Sequence, residues 1–163
     1  MIGSMRLEAS DVENVVFAAL TEVFGGGEGG VVNELLFLIG QGELAALYGW
    51  PDIVSFQTEF PVPRGRIDLI LFHVDGSATI IECKSGCTAR DVLPAVGQVM
   101  AYGLQVGYSR VLRKIRLAVA SRASGRDLAP VAPVLRACGI EPMFCGQHRK
   151  WARAFAEEQE PPR

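Results

Sequence analysis

Two consecutive runs, Arg66–Val74 and Ala78–Lys84, constrain this chain more than anything else in it, because both are mainly apolar at odd and even positions alike and only Asp75-Gly76-Ser77 separates them. Side chains along a strand alternate between the two faces of a sheet, so a run that is apolar at both phases needs cover on both faces. The Asp-Gly pair supplies a tight turn between antiparallel neighbours. The expectation is a hairpin at the centre of a sheet layered between helices, an α/β fold.

The rest of the chain provides the layers. From Asp11 to Phe24, Val12, Val15, Val16, Ala19, Leu20 and Val23 recur at helical spacing, and Ser10 or Asp11 can cap the start. Gly25–Gly30 reads as a flexible turn and not as a phosphate-cradling loop, since it follows a helix and lacks the Gly-Lys-Ser/Thr such a loop needs. A second helix is expected from Val31 to about Ile39, continuing as Glu43 to Tyr48 before Pro51 stops it, and Ile53–Phe60 reads as a strand. Past the hairpin come a helix from Asp91 to Val106 with Pro94 in its first turn, a strand Lys114–Ala120, a helix Leu128–Cys138 and a strand Glu141–Cys145. The predicted order is helix, three strands, helix, strand, helix, strand around a mixed central sheet flanked by helices.

A length of 163 residues with 49% hydrophobic composition suits one domain, 1–163, with its core over about 10–150. Met1-Ile2-Gly3-Ser4-Met5 has no charged segment or long apolar run, so it is expected to be an expression remnant and not a signal peptide. The acidic, Pro-ending residues from about 155 onward are expected to be a flexible tail. No run approaches the roughly 18 to 20 apolar residues of a membrane span, and a cytoplasmic location is expected. Cys83, Cys87, Cys138 and Cys145 form no CxxC pair and read as reduced thiols. The net charge of −2 conceals an asymmetry: residues 1–62 hold nine acids against one Arg, whereas residues 63–163 hold fifteen Lys or Arg against nine acids. A surface for a polyanion therefore belongs to the second segment.

Three charged residues interrupt the central hairpin. Period-two geometry puts Ile80, Glu82 and Lys84 on one face of their strand and Ile81 and Cys83 on the other. Asp68 sits in the preceding strand, where hairpin pairing brings it level with Glu82. Burying these charges is costly without compensation. A salt bridge of Lys84 with either acid would compensate them structurally, and a divalent cation would do so chemically. Two carboxylates with water and phosphate oxygens suit magnesium, with manganese as a substitute. Such an ion would activate a water and neutralise phosphate charge while Lys84 stabilises the transition state.

Gly65-Arg66-Ile67-Asp68-Leu69-Ile70, a turn, and Ile80-Ile81-Glu82-Cys83-Lys84 together resemble the core of the PD-(D/E)XK nuclease superfamily, with Ile67 where the family name has Pro. The resemblance implies a restriction-endonuclease-like fold, with Asp68, Glu82 and the carbonyl of Cys83 as metal ligands and Lys84 as the catalytic lysine. Glu34 matches the first-helix acid that many members use as an additional metal or water ligand, and Glu43 is the reserve. Gln98-x-x-x-Tyr102, extended by Gln105, resembles the Gln/Tyr motif of RecB-type members and implies substrate binding. There is no His before His73, which departs from the RecB pattern and leans toward junction resolvases. The cysteine spacing does not match the iron-sulfur arrangement of some RecB-type members.

Arg64 and Arg66 enter the Asp68 strand, and Arg110, Arg113, Lys114 and Arg116 flank the following one, so both groups are candidates for contacting phosphates. The functional expectation is a magnesium-dependent DNA nuclease, specifically a structure-specific endonuclease such as a homodimeric Holliday junction resolvase. A RecB-like exonuclease is the alternative within the class, and RNA remains open as a substrate. A non-catalytic DNA-binding or assembly module, with the acids as structural ion pairs, is the rival from outside it.

Overall fold

The structure is a computed structural model that describes residues 18–86, 88–109, 112–122 and 130–146. Helical residues 18–24 end at Gly25-Gly26. Helix α1 (Gly27–Gly40) and the short α2 (Leu44–Leu47) then lead into strands β1 (Ile53–Val62), β2 (Gly65–His73) and β3 (Ala78–Lys84). Helix α3 (Ala89–Ser109), strand β4 (Ile115–Ser121), helix α4 (Ala132–Ala137) and strand β5 (Ile140–Phe144) complete the order. Residues 1–17, Cys87, Arg110 and 147–163, on which several sequence expectations rest, lie outside the described residues.

The five strands form one sheet in the order β1-β2-β3-β4-β5. The pairs β1–β2 and β2–β3 are antiparallel, and β3–β4 and β4–β5 are parallel. The sheet is therefore mixed, and helix α3 supplies the crossover that parallel neighbours require. One face packs Ile70, Ile80, Ala78 and Val119 under Val92, Ala95 and Val99 of α3 and Leu135 of α4. The other packs Leu69, Leu71, Ile81, Cys83, Ala118 and Ala120 under Val31, Leu35 and Leu44. β3 is buried at every residue except Lys84, as a strand covered on both faces must be. β1, at the sheet's edge, is mostly exposed and tolerates Pro61, whose missing N–H costs least there.

Besides shifts of a residue or so and a helix α4 confined to Ala132–Ala137, three expectations change at element boundaries. The glycine-rich stretch is a turn only at Gly25-Gly26, and Gly27–Gly30 forms the first turn of α1. Helix α3 starts at Ala89, so Pro94 lies inside the helix instead of in its first turn. That earlier start is secured because the Asp91 carboxylate accepts from both the N–H of Thr88, at 3.2 Å, and its hydroxyl, at 2.7 Å. The third change is that β1 runs on through Pro61 to Val62.

Candidate functional site

Strict alternation fails at one place in β2, and that place is Asp68. Leu69 and Leu71 face the α1 side, yet Ile67, which alternation would put with them, joins the α3 side with its partner Phe60. Opposite the break, Glu59 has φ 51°, a left-handed backbone uncommon outside glycine. The paired residues of β2 and β3 stop at Leu69↔Ile81. Beyond that point the N–H of Cys83 donates instead to Asp68 Oδ2 at 2.7 Å, so a carboxylate takes the place of a main-chain acceptor. The two strands part here, and the acid occupies the fork.

Glu82 lies on the neighbouring strand with only 3% of its surface exposed. Lys84 Nζ donates to its Oε1 at 2.8 Å, while Oε2 is buried without a hydrogen-bond partner among the described residues. Burial, reinforced by Asp68, holds the Glu82 carboxyl above its ordinary range against the pull of Lys84. Asp68 is likewise raised, by burial and by Glu28, although the Cys83 N–H and Lys84 act the other way. Burial alone would lower the Lys84 pKa, but the Glu82 hydrogen bond and the charges of Glu82, Glu28 and Asp68 raise it. The Cys83 side chain points to the opposite face, where burial pushes its thiol well up.

The cluster holds a residue that the sequence did not single out. Glu28, in the first turn of α1, places Oε1 3.6 Å from Lys84 Nζ. Its signal was its position as the one charged residue in a run of glycines, Gly25-Gly26-Gly27-Glu28-Gly29-Gly30. Glu34, the expected helix acid, is instead placed against Arg122, with Oε2 3.9 Å from Nε, and accepts from the N–H of Gly146.

The expected substrate residues divide. Tyr102 is nearly buried and packs against the β1–β2 turn, where a side chain on Gly65 would meet its hydroxyl at 2.8 Å. Gln105 Oε1 accepts from the N–H of Arg64 at 2.9 Å in the same turn, and Gln98 is exposed. Arg66 is exposed at this end of the sheet and pairs with Glu59 at 2.8 Å. Arg113, Lys114 and Arg116 lie at the opposite end: Ile115 is level with Ala78, and Ser121 with Lys84. The intervening strand is about 20 Å long at ~3.3 Å per residue.

The donor set fits a hard cation. Glu82 offers a buried oxygen with no hydrogen-bond partner among the described residues, and Asp68 lies beside it with a carboxylate that burial disfavours in charged form. Among the described residues no group of three or more His, Cys, Asp or Glu side chains is placed to hold a metal ion.

No family model matches the chain, and no curated protein matches it. Among solved structures it is similar to a repair endonuclease from Pyrococcus abyssi, at 14% identity and a TM-score of 0.42, covering 86% of this chain and 48% of that one. The chain thus spans about half the length of that protein. Among the described residues, no helix is long and apolar enough to cross a membrane.

Proposed function

We propose that this chain is a divalent-metal-dependent DNA nuclease centred on Asp68, Glu82 and Lys84. The observation that carries the reading is the Glu82 carboxylate, buried beside a second acid with one oxygen held by Lys84 and the other without a hydrogen-bond partner among the described residues. Asp68 and Glu82 would hold magnesium or manganese, with the Cys83 carbonyl as a further oxygen. Bound there, such an ion supplies an activated water and neutralises charge on the phosphate.

The chain's own groups do the positioning. Asp68 is fixed by the Cys83 N–H, and Glu82 by Lys84. Lys84, held by its hydrogen bond to Glu82, would serve as a donor that orients the attacking water or stabilises the phosphorane-like transition state. Arg66 and the Arg64 turn, at the same end of the sheet, would meet the phosphate backbone, with Gln98 and Tyr102 on the flanking helix.

Within this class the reading is a structure-specific endonuclease, with a homodimeric junction resolvase as the model case. The test is cleavage of closed circular, linear, flap and four-way DNA by purified protein with and without magnesium. Magnesium-dependent cutting that includes the closed circle or the branched substrates is expected. Cutting confined to linear ends would make it an exonuclease, and no cutting of any substrate would refute the reading.

A further inference from the structure

Arg122 directly follows β4, whose last residue, Ser121, is level with Lys84. It continues the face carrying Ala118 and Ala120, which lies under α1. It is 5% exposed, a place where a guanidinium is rarely found without dedicated acceptors. Its acceptors are the backbone carbonyls that bracket the glycine-rich turn: Nη1 donates to Gly25 O at 2.6 Å, Nη2 to Gly30 O at 2.9 Å, with a longer contact of 3.5 Å to Leu20 O. Glu34 balances its charge and is itself tied to the Gly146 N–H.

The segment between those two carbonyls carries Glu28, which lies 3.6 Å from Lys84 Nζ. Glycines do not hold a conformation by themselves, and Gly25 and Gly27 take φ of 87° and 67°. A rigid planar fork bonding both ends of the turn fixes it in a way a flexible ammonium cannot. A side chain on Gly30 would collide with the Gly25 carbonyl and approach Arg122 Nη1 at 3.0 Å, so the turn is closed tightly on the guanidinium.

We infer that Arg122, its charge balanced by Glu34, is a positioning residue that clamps the Gly25–Gly30 turn so that Glu28 stands against Lys84 at the edge of the centre. Its consequence for metal binding rests on the nuclease reading, whereas the clamp itself does not.

The test compares Arg122→Met, Arg122→Lys, Glu28→Gln and the Arg122→Met/Glu28→Gln double variant. Manganese affinity is measured by calorimetry without DNA, and amide exchange is followed across residues 25–31. Arg122→Met and Glu28→Gln should each weaken manganese binding about tenfold, the scale of lost outer-sphere support, and the double variant no further than Glu28→Gln alone. Arg122→Lys should recover only part of the loss, and exchange should quicken across 25–31 in Arg122→Met ahead of the β3 and β4 amides. Losses that multiply in the double variant, or an Arg122→Met that lowers the melting temperature but keeps wild-type manganese affinity, would overturn the inference. A wild type that binds no manganese would count against the nuclease reading alone. Amide exchange across 25–31 then decides the clamp, and unchanged exchange in Arg122→Met would refute it.

Discussion

Asp68 and Glu82 work against the fold that holds them. Burial raises both carboxyls above their ordinary values of 3.8 and 4.5, so in the intervening range the folded chain binds more protons than the unfolded one. The stability they lend is present at low pH and lost as pH climbs through the raised values, leaving a penalty at neutrality. Asp68→Asn should therefore raise the Tm of the metal-free protein at pH 7, with the gain shrinking toward pH 4, whereas in Glu82→Gln the lost ion pair to Lys84 offsets the gain. Both should lose magnesium-dependent stabilisation. Thermal melts across pH, with EDTA or magnesium, measure this, and a Tm at pH 7 lowered by Asp68→Asn in EDTA would contradict it. The three charged positions were legible in the sequence as interruptions of two apolar runs joined by the Asp75-Gly76 turn, but the break in alternation that puts Asp68 under the Cys83 N–H was not. Glu28 and Arg122 were not. Arg122 meets its acceptors across 97 and 92 positions of chain, and no local pattern reports a contact of that span.

At the scale of elements, the sheet was readable and the glycine-rich turn was misread. Continuous apolar runs mark β2 and β3 as central strands, whereas Gly27–Gly30 has poor helix propensity and is helical because α1 docks on the sheet and Arg122 holds its end. Neighbouring glycines in this turn should consequently respond with opposite signs. An added Cβ at Gly29 meets nothing within 4 Å, so Gly29→Ala should stabilise by about 0.5–1 kcal/mol through reduced backbone freedom. Gly30→Ala drives a methyl into the Gly25 carbonyl and should cost about 2 kcal/mol or more. Denaturant melts of the two variants decide it, and equal effects would show that the turn is not closed as described.

For the molecule as a whole, the mixed topology gathers the residues of the proposed centre at one end of the sheet. The fork between β2 and β3, the C-terminal end of β4 and the start of α1 meet there, with the β1–β2 turn and its arginines alongside. The second basic group lies at the other end, so charge summed along the sequence pools two distant surfaces. The proposed activity depends on the chemistry at the first end. The most direct measurement is the single-turnover cleavage rate of magnesium-loaded wild type against Lys84→Ala, on whichever DNA the wild type cuts, with DNA affinity measured in parallel. A loss on the order of 100- to 10,000-fold in rate with affinity retained is expected. An unchanged rate in Lys84→Ala would contradict the proposed centre.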